Sequence, residues 1–224
     1  MKLLMELAAC YQFDTRAHTY EQAVQVYEQF IQNFPDNPLC AKAYFNIGRC
    51  YDAFTLEREK DIQKARTAYR ACYESYPDSQ WADQAYFWHA NSYIYKLTPR
   101  TAETAAKMLE TFLQNYPRSL LTAVAHSQLS ELYCAWLNDH RASIRHSEAA
   151  LDHGIRDTNI RRLHLYRLGY LYQFKMNDAA NAIRWYKKLM DESPMQSDPN
   201  YFAAKKRVEE LTASENSRTG TAGL

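Results

Sequence analysis

Five residues of one type each stand twelve positions before a helix-terminating residue, and this spacing restricts the fold more tightly than any other feature of the chain. The pairs are Ala23 with Pro35, Ala65 with Pro77, Ala105 with Pro117, Ala142 with Gly154 and Ala182 with Pro194. Four residues after each alanine stand Tyr27, Tyr69, Leu109, His146 and Tyr186, and three beyond those Phe30, Cys72, Phe112, Ala149 and Leu189. Upstream of each alanine lies Tyr11, Tyr51, Tyr93, Tyr133 or Tyr172, preceded three residues earlier by Ala8, Gly48, Ala90, Ser130 or Gly169. Steps of three and four place residues on one helical face. The unit is therefore a hairpin: helix A carries the small residue and the tyrosine, and helix B carries the alanine and an apolar stripe. Proline ends helix B because it cannot continue the hydrogen-bond ladder and restricts the residue before it. The small residue lets helix B approach closely, and the helix A tyrosine is expected to fill the gap beside it. Each hairpin leaves an apolar face uncovered, so the next must stack on it.

Composition narrows the function. Lysine and arginine number 27 against 26 acidic residues, a formal net charge of +1, and no block of like charge interrupts the mixture. A general nucleic-acid or anionic-membrane surface would need clustered cations. Only 5 glycines and 7 prolines are present, too few for the turns of an all-β protein. No apolar run approaches the roughly 18 residues that span a bilayer. The opening M-K-L-L-M-E-L-A-A-C contains Leu7-Ala8-Ala9-Cys10, which has the look of a lipoprotein cleavage box, but Glu6 interrupts the apolar stretch. The segment is expected to be the first structural helix rather than a signal peptide. The chain as written thus reads as cytoplasmic, or as periplasmic or outer-membrane-associated if an export signal was removed. The five cysteines, Cys10, Cys40, Cys50, Cys72 and Cys134, form no C-x-x-C pair and read as small apolar residues.

The repeat pattern resembles the tetratricopeptide repeat, whose usual period is about 34 residues. The tyrosine-to-tyrosine steps here are 40, 42, 40 and 39. Part of the excess falls in the A–B loops, such as Thr55 to Asp61 and Leu97 to Thr101. The rest follows each terminating proline, in the joints F-P-D-N-P-L-C-A-K-A, Y-P-D-S-Q-W-A-D-Q-A and Y-P-R-S-L-L-T-A-V-A. In the second of these, Asp78 and Ser79 are expected to offer caps to the following helix. Such joints are similar to those of bacterial cell-envelope repeat proteins, of the Tol–Pal accessory and outer-membrane assembly lipoprotein types. The resemblance implies an all-α, right-handed solenoid of five hairpins in a single domain over 1–213, with units near 1–37, 38–79, 80–119, 120–156 and 157–196. Helices are expected near 3–12, 19–34, 39–54, 60–76, 80–96, 101–116, 119–137, 140–152, 158–175 and 178–192. An eleventh at 199–213 has the polar outer face that a solenoid cap requires, and 214–224 is expected to be a disordered tail. The fourth unit departs most from the pattern, with Gly154 in place of proline and histidine where its neighbours keep Tyr or Leu.

No sequence signal points to catalysis. The chain has no Gly-rich phosphate loop, no G-x-S-x-G and no H-E-x-x-H. His126 and His146 sit at two packing positions of the fourth unit and read as a hydrogen-bonded buried pair. His146 and His153 are too far apart on one helix for the usual ligand spacing. Neither a catalytic residue, a metal nor a cofactor is assigned. What the resemblance implies instead is a concave face of helix A positions that binds a peptide or protein segment. By register these include Lys42, Phe45, Arg49, Asp52, Gln84, Phe87, Asn91, Tyr95, Ser127, Glu131, Leu163, Tyr166, Tyr170 and Phe174. The set is aromatic with a few charges, which suits an extended or helical peptide. Asn91 matches one position of the lysine–asparagine clamp that some chaperone-binding members use, but Phe45 and Phe87 stand where lysine is wanted. The expected function is a scaffold or adaptor within a cell-envelope complex; the alternative is a structural subunit that self-assembles through its convex face and terminal hairpins.

Overall fold

The computed structural model describes residues 2–13, 19–53, 60–192 and 199–221, with the side chains of the last segment described to Ser214. Pro194 and most of the Thr55 to Asp61 loop lie outside the described residues. Eleven α-helices and no strand occur among those described. They are α1 (Lys2–Phe13), α2 (Thr19–Asn33), α3 (Leu39–Asp52), α4 (Ile62–Ser75), α5 (Ala82–Asn91), α6 (Pro99–Asn115), α7 (Thr122–Ala135), α8 (His140–Asp152), α9 (Thr158–Phe174), α10 (Ala179–Asp191) and α11 (Pro199–Thr221). Consecutive helices pack as A–B pairs. The chain divides into two compact units, Met1–Leu121 and Thr122–Leu224, where the sequence reading expects one domain. The first holds the hairpins α1/α2, α3/α4 and α5/α6. The second holds α7/α8 and α9/α10, with α11 packed against α10 and α9.

Helix–helix contact within a hairpin is set by the expected small residue, but the partner filling the gap is not the expected one. An added Cβ at Gly48 would lie 2.4 Å from the Tyr69 ring, and one at Gly169 would lie 2.5 Å from the Tyr186 ring. The ring in the gap thus belongs to helix B. Tyr27, Tyr69 and Tyr186 are fully buried, whereas the helix A tyrosines Tyr11, Tyr51, Tyr93, Tyr133 and Tyr172 are only half-buried. Occupancy explains the exchange: a side chain three residues on leans back toward the small residue, but the helix B ring already fills the site beside it.

A buried phenol needs a hydrogen-bond partner. Each of the three has one on helix A, four residues after the small residue. Tyr27 donates to Gln12 Oε1 at 2.7 Å, Tyr69 to Asp52 Oδ2 at 2.6 Å and Tyr186 to Gln173 Oε1 at 3.1 Å. Asn46 Nδ2 in turn donates to the Tyr27 hydroxyl at 2.9 Å, tying the first hairpin to the second. In the α5/α6 hairpin Leu109 replaces tyrosine and the equivalent helix A position is Ile94, so no polar partner is required.

Three local expectations are corrected. Asp78 and Ser79 do not cap α5: its N-cap is Trp81, without a side-chain cap, and Ser79 Oγ is buried with no partner. The chain instead reaches α5 through successive turns, Ser79 N–H bonding Tyr76 O and Ala82 N–H bonding Ser79 O. Helix α5 also ends at Asn91 rather than 96. Its continuation tightens, because Tyr93 and Ile94 donate to the carbonyls three residues back. Helix α11 runs on to Thr221 past the expected end at 213. Thr212 and Ser214, residues that often compete with helix, here return their hydroxyls to the carbonyls of Val208 and Leu211.

The A–B turns of the second, fourth and fifth hairpins share a device that the periodicity does not show. Helix B opens on Asp61, Asp139 or Asp178, whose carboxylate accepts the backbone N–H of Lys64, Ala142 or Asn181. The N–H of the same aspartate donates to the carbonyl of Tyr51, Tyr133 or Tyr172. In the last two turns the preceding residue is Asn138 or Asn177 in the left-handed region, with φ of 52° and 54°, which asparagine tolerates. Gly154, with φ of 82°, ends α8 in place of proline by adopting a conformation open mainly to glycine.

Candidate binding surface

In the first unit the register places the expected groove residues in two classes. Phe45 and Phe87 are 7% and 2% exposed and are packing residues. Phe45 stacks on Trp81 at 5.3 Å and tilts against Tyr69, while Phe87 meets Phe112 edge-on at 5.5 Å. Three residues before the small position, a helix A side chain points into the hairpin stack rather than out of it. Asp52 is held by the Tyr69 hydroxyl and by Arg49, 3.4 Å away, and burial raises its pKa. Arg49 lies over Trp88 at 3.9 Å and Lys42 over Trp81 at 5.6 Å. Asn91 donates back to Phe87 O, so its amide serves its own helix end. Tyr95 sits beyond α5 in the tightened turns, with Lys60 and Lys96 over its ring.

In the second unit helix α9 carries a different surface. Leu163, Tyr170 and Phe174 are 44%, 42% and 47% exposed, and their spacing puts them on one face. Tyr166, between them, is half-buried against Tyr186. Tyr170 and Phe174 contact each other at 4.9 Å, and the Arg207 guanidinium of α11 lies 5.2 Å from the Phe174 ring. Glu131 on α7 is exposed and 4.0 Å from Arg167 of α9. The stripe is therefore aromatic at its centre and charged at its margin.

Beside this face the fourth hairpin has a polar interior. His126 and His146 meet through their Nδ1 atoms at 2.9 Å, and the His126 ring stacks on His153. A second network, missed by register reasoning, is centred on His164, which is 1% exposed. His164 Nε2 is 2.7 Å from Ser127 Oγ and its Nδ1 is 3.0 Å from Ser147 Oγ; Ser147 is 2.6 Å from Ser130 Oγ, which Ser143 and Arg167 also reach. Burial first, and the neighbouring Arg167 second, lower the His164 pKa to about 4. Burial, then His146 and His153, lower that of His126 to about 4. These imidazoles are neutral at pH 7, His164 buried and His126 half-buried. Among the described residues no group of three or more His, Cys, Asp or Glu is arranged to hold a metal ion. Serine at 127 and 130, three apart on α7, and at 143 and 147, four apart on α8, was the available signal for the network.

Family models described as tetratricopeptide repeat match residues 4–37, 42–79 and 84–119, and a further one of the same description matches 165–194. The chain belongs to the tetratricopeptide-repeat family. The fourth hairpin of this tetratricopeptide protein lies between the matched segments, where tyrosine and proline give way to histidine, serine and glycine. A solved structure described as a thermophilic tetratricopeptide protein from Thermus thermophilus is similar with a TM-score of 0.48 and 16% identity, covering 95% of this chain and 98% of that one. No curated protein matches the chain. Tetratricopeptide proteins generally mediate protein–protein interactions, and no described helix of this one is long and apolar enough to cross a membrane.

Proposed function

We propose that the protein is a non-enzymatic scaffold or adaptor that binds a peptide or protein segment on the helix A surface of its hairpins. The observation that carries this reading is the α9 stripe of Leu163, Tyr170 and Phe174, large apolar and aromatic side chains left at the surface at positions where α3 carries Lys42 and Arg49. Rigid aromatic rings with an arginine at their edge provide the kind of anchor that dominates peptide affinity. The proposed setting, a bacterial cell-envelope complex, is supported by the P-D-S/N-x-x-A joints alone. Affinity capture with the wild type and with the Tyr170→Ala/Phe174→Ala variant tests the reading. Both substitutions lie at the surface, so the fold is expected to survive them and partner recovery to fall. Undiminished recovery of every partner by a folded variant would sink the proposal.

A self-assembling structural subunit is the second reading, favoured by Leu3 and Leu7, exposed one helical turn apart on α1. A mass by light scattering that stays monomeric as concentration rises removes it.

A further inference from the structure

The first unit contains a cleft at the edge where α4 begins and α5 ends. Its volume is about 640 Å³, and Arg66, Tyr93, Lys96 and Ile62 line it. A second cleft of about 360 Å³, lined by Ile94 and Trp88 with Arg49 and Asp52 at its side, shares Lys60, Ile62, Ser92 and Tyr95 with the first. Together they give a cationic end and an apolar end.

The cationic end lacks its complement. Arg66 Nε donates to Ser92 Oγ at 2.7 Å and its Nη2 to Ser92 O at 3.0 Å, and its guanidinium lies flat over Tyr93 at 3.7 Å. All these contacts are to neutral groups, and no carboxylate pairs with Arg66 among the described residues. Burial pulls its pKa below the usual arginine value, and Tyr93 acts in the opposite direction. A half-buried cation fixed in place by neutral partners is costly unless an anion compensates it. Lys96, exposed at the rim, contacts only the Tyr95 ring and has no acidic partner among the described residues. The Tyr93 hydroxyl has no acceptor or donor of its own there. The one carboxylate lining this cleft, that of Asp61, is engaged in capping Lys64 N–H and lies 3.4 Å from Lys64 Nζ. Asp52, at the second cleft, is already held by Tyr69 and Arg49. Guanidinium, phenol and ammonium therefore offer donors to the cleft with nothing opposite them.

We propose that this cleft docks an acidic segment of a partner protein, with a carboxylate on Arg66, Tyr93 and Lys96 and a neighbouring apolar side chain on Ile62 and Ile94. The inference rests on the reading of the chain as a protein-binding module, but it uses a different surface from the α9 stripe. An isolated small anion would use only the cationic end, whereas alternating carboxylate and apolar side chains use both. Recognition of this kind needs no general cationic surface, in keeping with a net charge of +1.

The probe is a fluorescein-labelled Gly-Glu-Leu-Glu-Tyr-Glu-Gly peptide, followed by fluorescence anisotropy with the full chain. Binding is expected to weaken as salt rises, because Lys96 is exposed. Replacing the glutamates of the probe by glutamine is expected to weaken binding at least tenfold. Arg66→Gln is expected to do the same, and Lys96→Gln to weaken it several-fold while losing within the protein only the contact with the Tyr95 ring. Arg66 also holds Ser92, so circular dichroism of Arg66→Gln must match the wild type for its result to count, and Lys96→Gln stands as the independent check. Equal affinity for the acidic and glutamine probes, or unchanged affinity in Lys96→Gln and a folded Arg66→Gln, would overturn the proposal. Tyr170→Ala/Phe174→Ala is expected to leave this peptide bound. That variant separates failure of the cleft from failure of the α9 surface.

Discussion

Gly169→Ala would place a methyl group where the Tyr186 ring already sits. The new Cβ falls 2.5 Å from two carbons of that ring and 2.8 Å from a third. Tyr186 is fully buried and its hydroxyl is bonded to Gln173, so the ring has little freedom to swing aside. Two effects oppose each other. Alanine is favoured over glycine in a helix interior by about 1 kcal/mol, while overpacking a filled core costs about 1–3 kcal/mol. The first hairpin accommodates Ala8 opposite Tyr27, so the variant can relax by moving α9 away from α10. That movement loosens Leu165, Leu168 and Leu189, all buried in the same cluster. A net loss of about 1–2 kcal/mol is therefore expected, read as a lower urea midpoint with Trp185 fluorescence reporting on the second unit. The decisive protein is the double variant Gly169→Ala/Tyr186→Leu, which recreates the Ala90 and Leu109 pair already present in the third hairpin. Tyr186→Leu strips Gln173 of its donor, but that cost appears in both the single and the double variant and cancels in the cycle. A favourable coupling of about 1 kcal/mol is expected. Strictly additive variants, or a Gly169→Ala protein more stable than the wild type, would refute the idea that this glycine is required by the opposing ring.

Further outcomes follow from the caps, the buried imidazoles and one ion pair. His89 and His164 are almost fully buried, and burial is the first cause lowering each pKa to about 4. Their folded pKa values lie below the unfolded value of about 6.5, so the stability linked to them is present above about pH 6.5 and is lost as pH falls toward 4. The loss is on the order of 3 kcal/mol per imidazole. Urea midpoints that do not decline over that window would contradict the assignment, and His164→Gln is expected to flatten the decline. Asp178→Ala removes the N-cap of α10 and is expected to cost about 1 kcal/mol by thermal denaturation, with Asp178→Asn costing a smaller amount. Arg161 meets Glu192 through Nε at 2.6 Å and Nη2 at 2.8 Å, and this bidentate bond is the first cause depressing the Glu192 pKa. Both groups are partly solvated, so Arg161→Gln is expected to cost no more than about 1 kcal/mol, less in high salt.

The number and order of the helices were legible because amphipathic spacing and proline are local signals. An alanine recurring twelve residues before its terminator records a helix length, and a small residue before each tyrosine records a close approach. The binding residues were less legible. Phe45 and Tyr166 both stand three residues before the small residue of helix A, yet one is buried against Trp81 and the other only half-buried against Tyr186, because exposure depends on what the neighbouring helix presents. His164 and its serines escaped notice for a similar reason: four serines in two helices become a network only when an imidazole from a third helix reaches them. Arg66 carried no signal at all, since an arginine on a polar helix face is ordinary until its partners are known to be neutral.

The covalent chain by itself determined the order of the helices and most of their ends, through alanine, proline, aspartate and glycine, whose backbone and capping preferences act over only a few residues. Tertiary structure alone decided which aromatic ring fills each gap, which polar groups are buried in company, and which cations face an open cleft. Those outcomes depend on steric fit and desolvation between segments far apart in the chain, and no local preference encodes them.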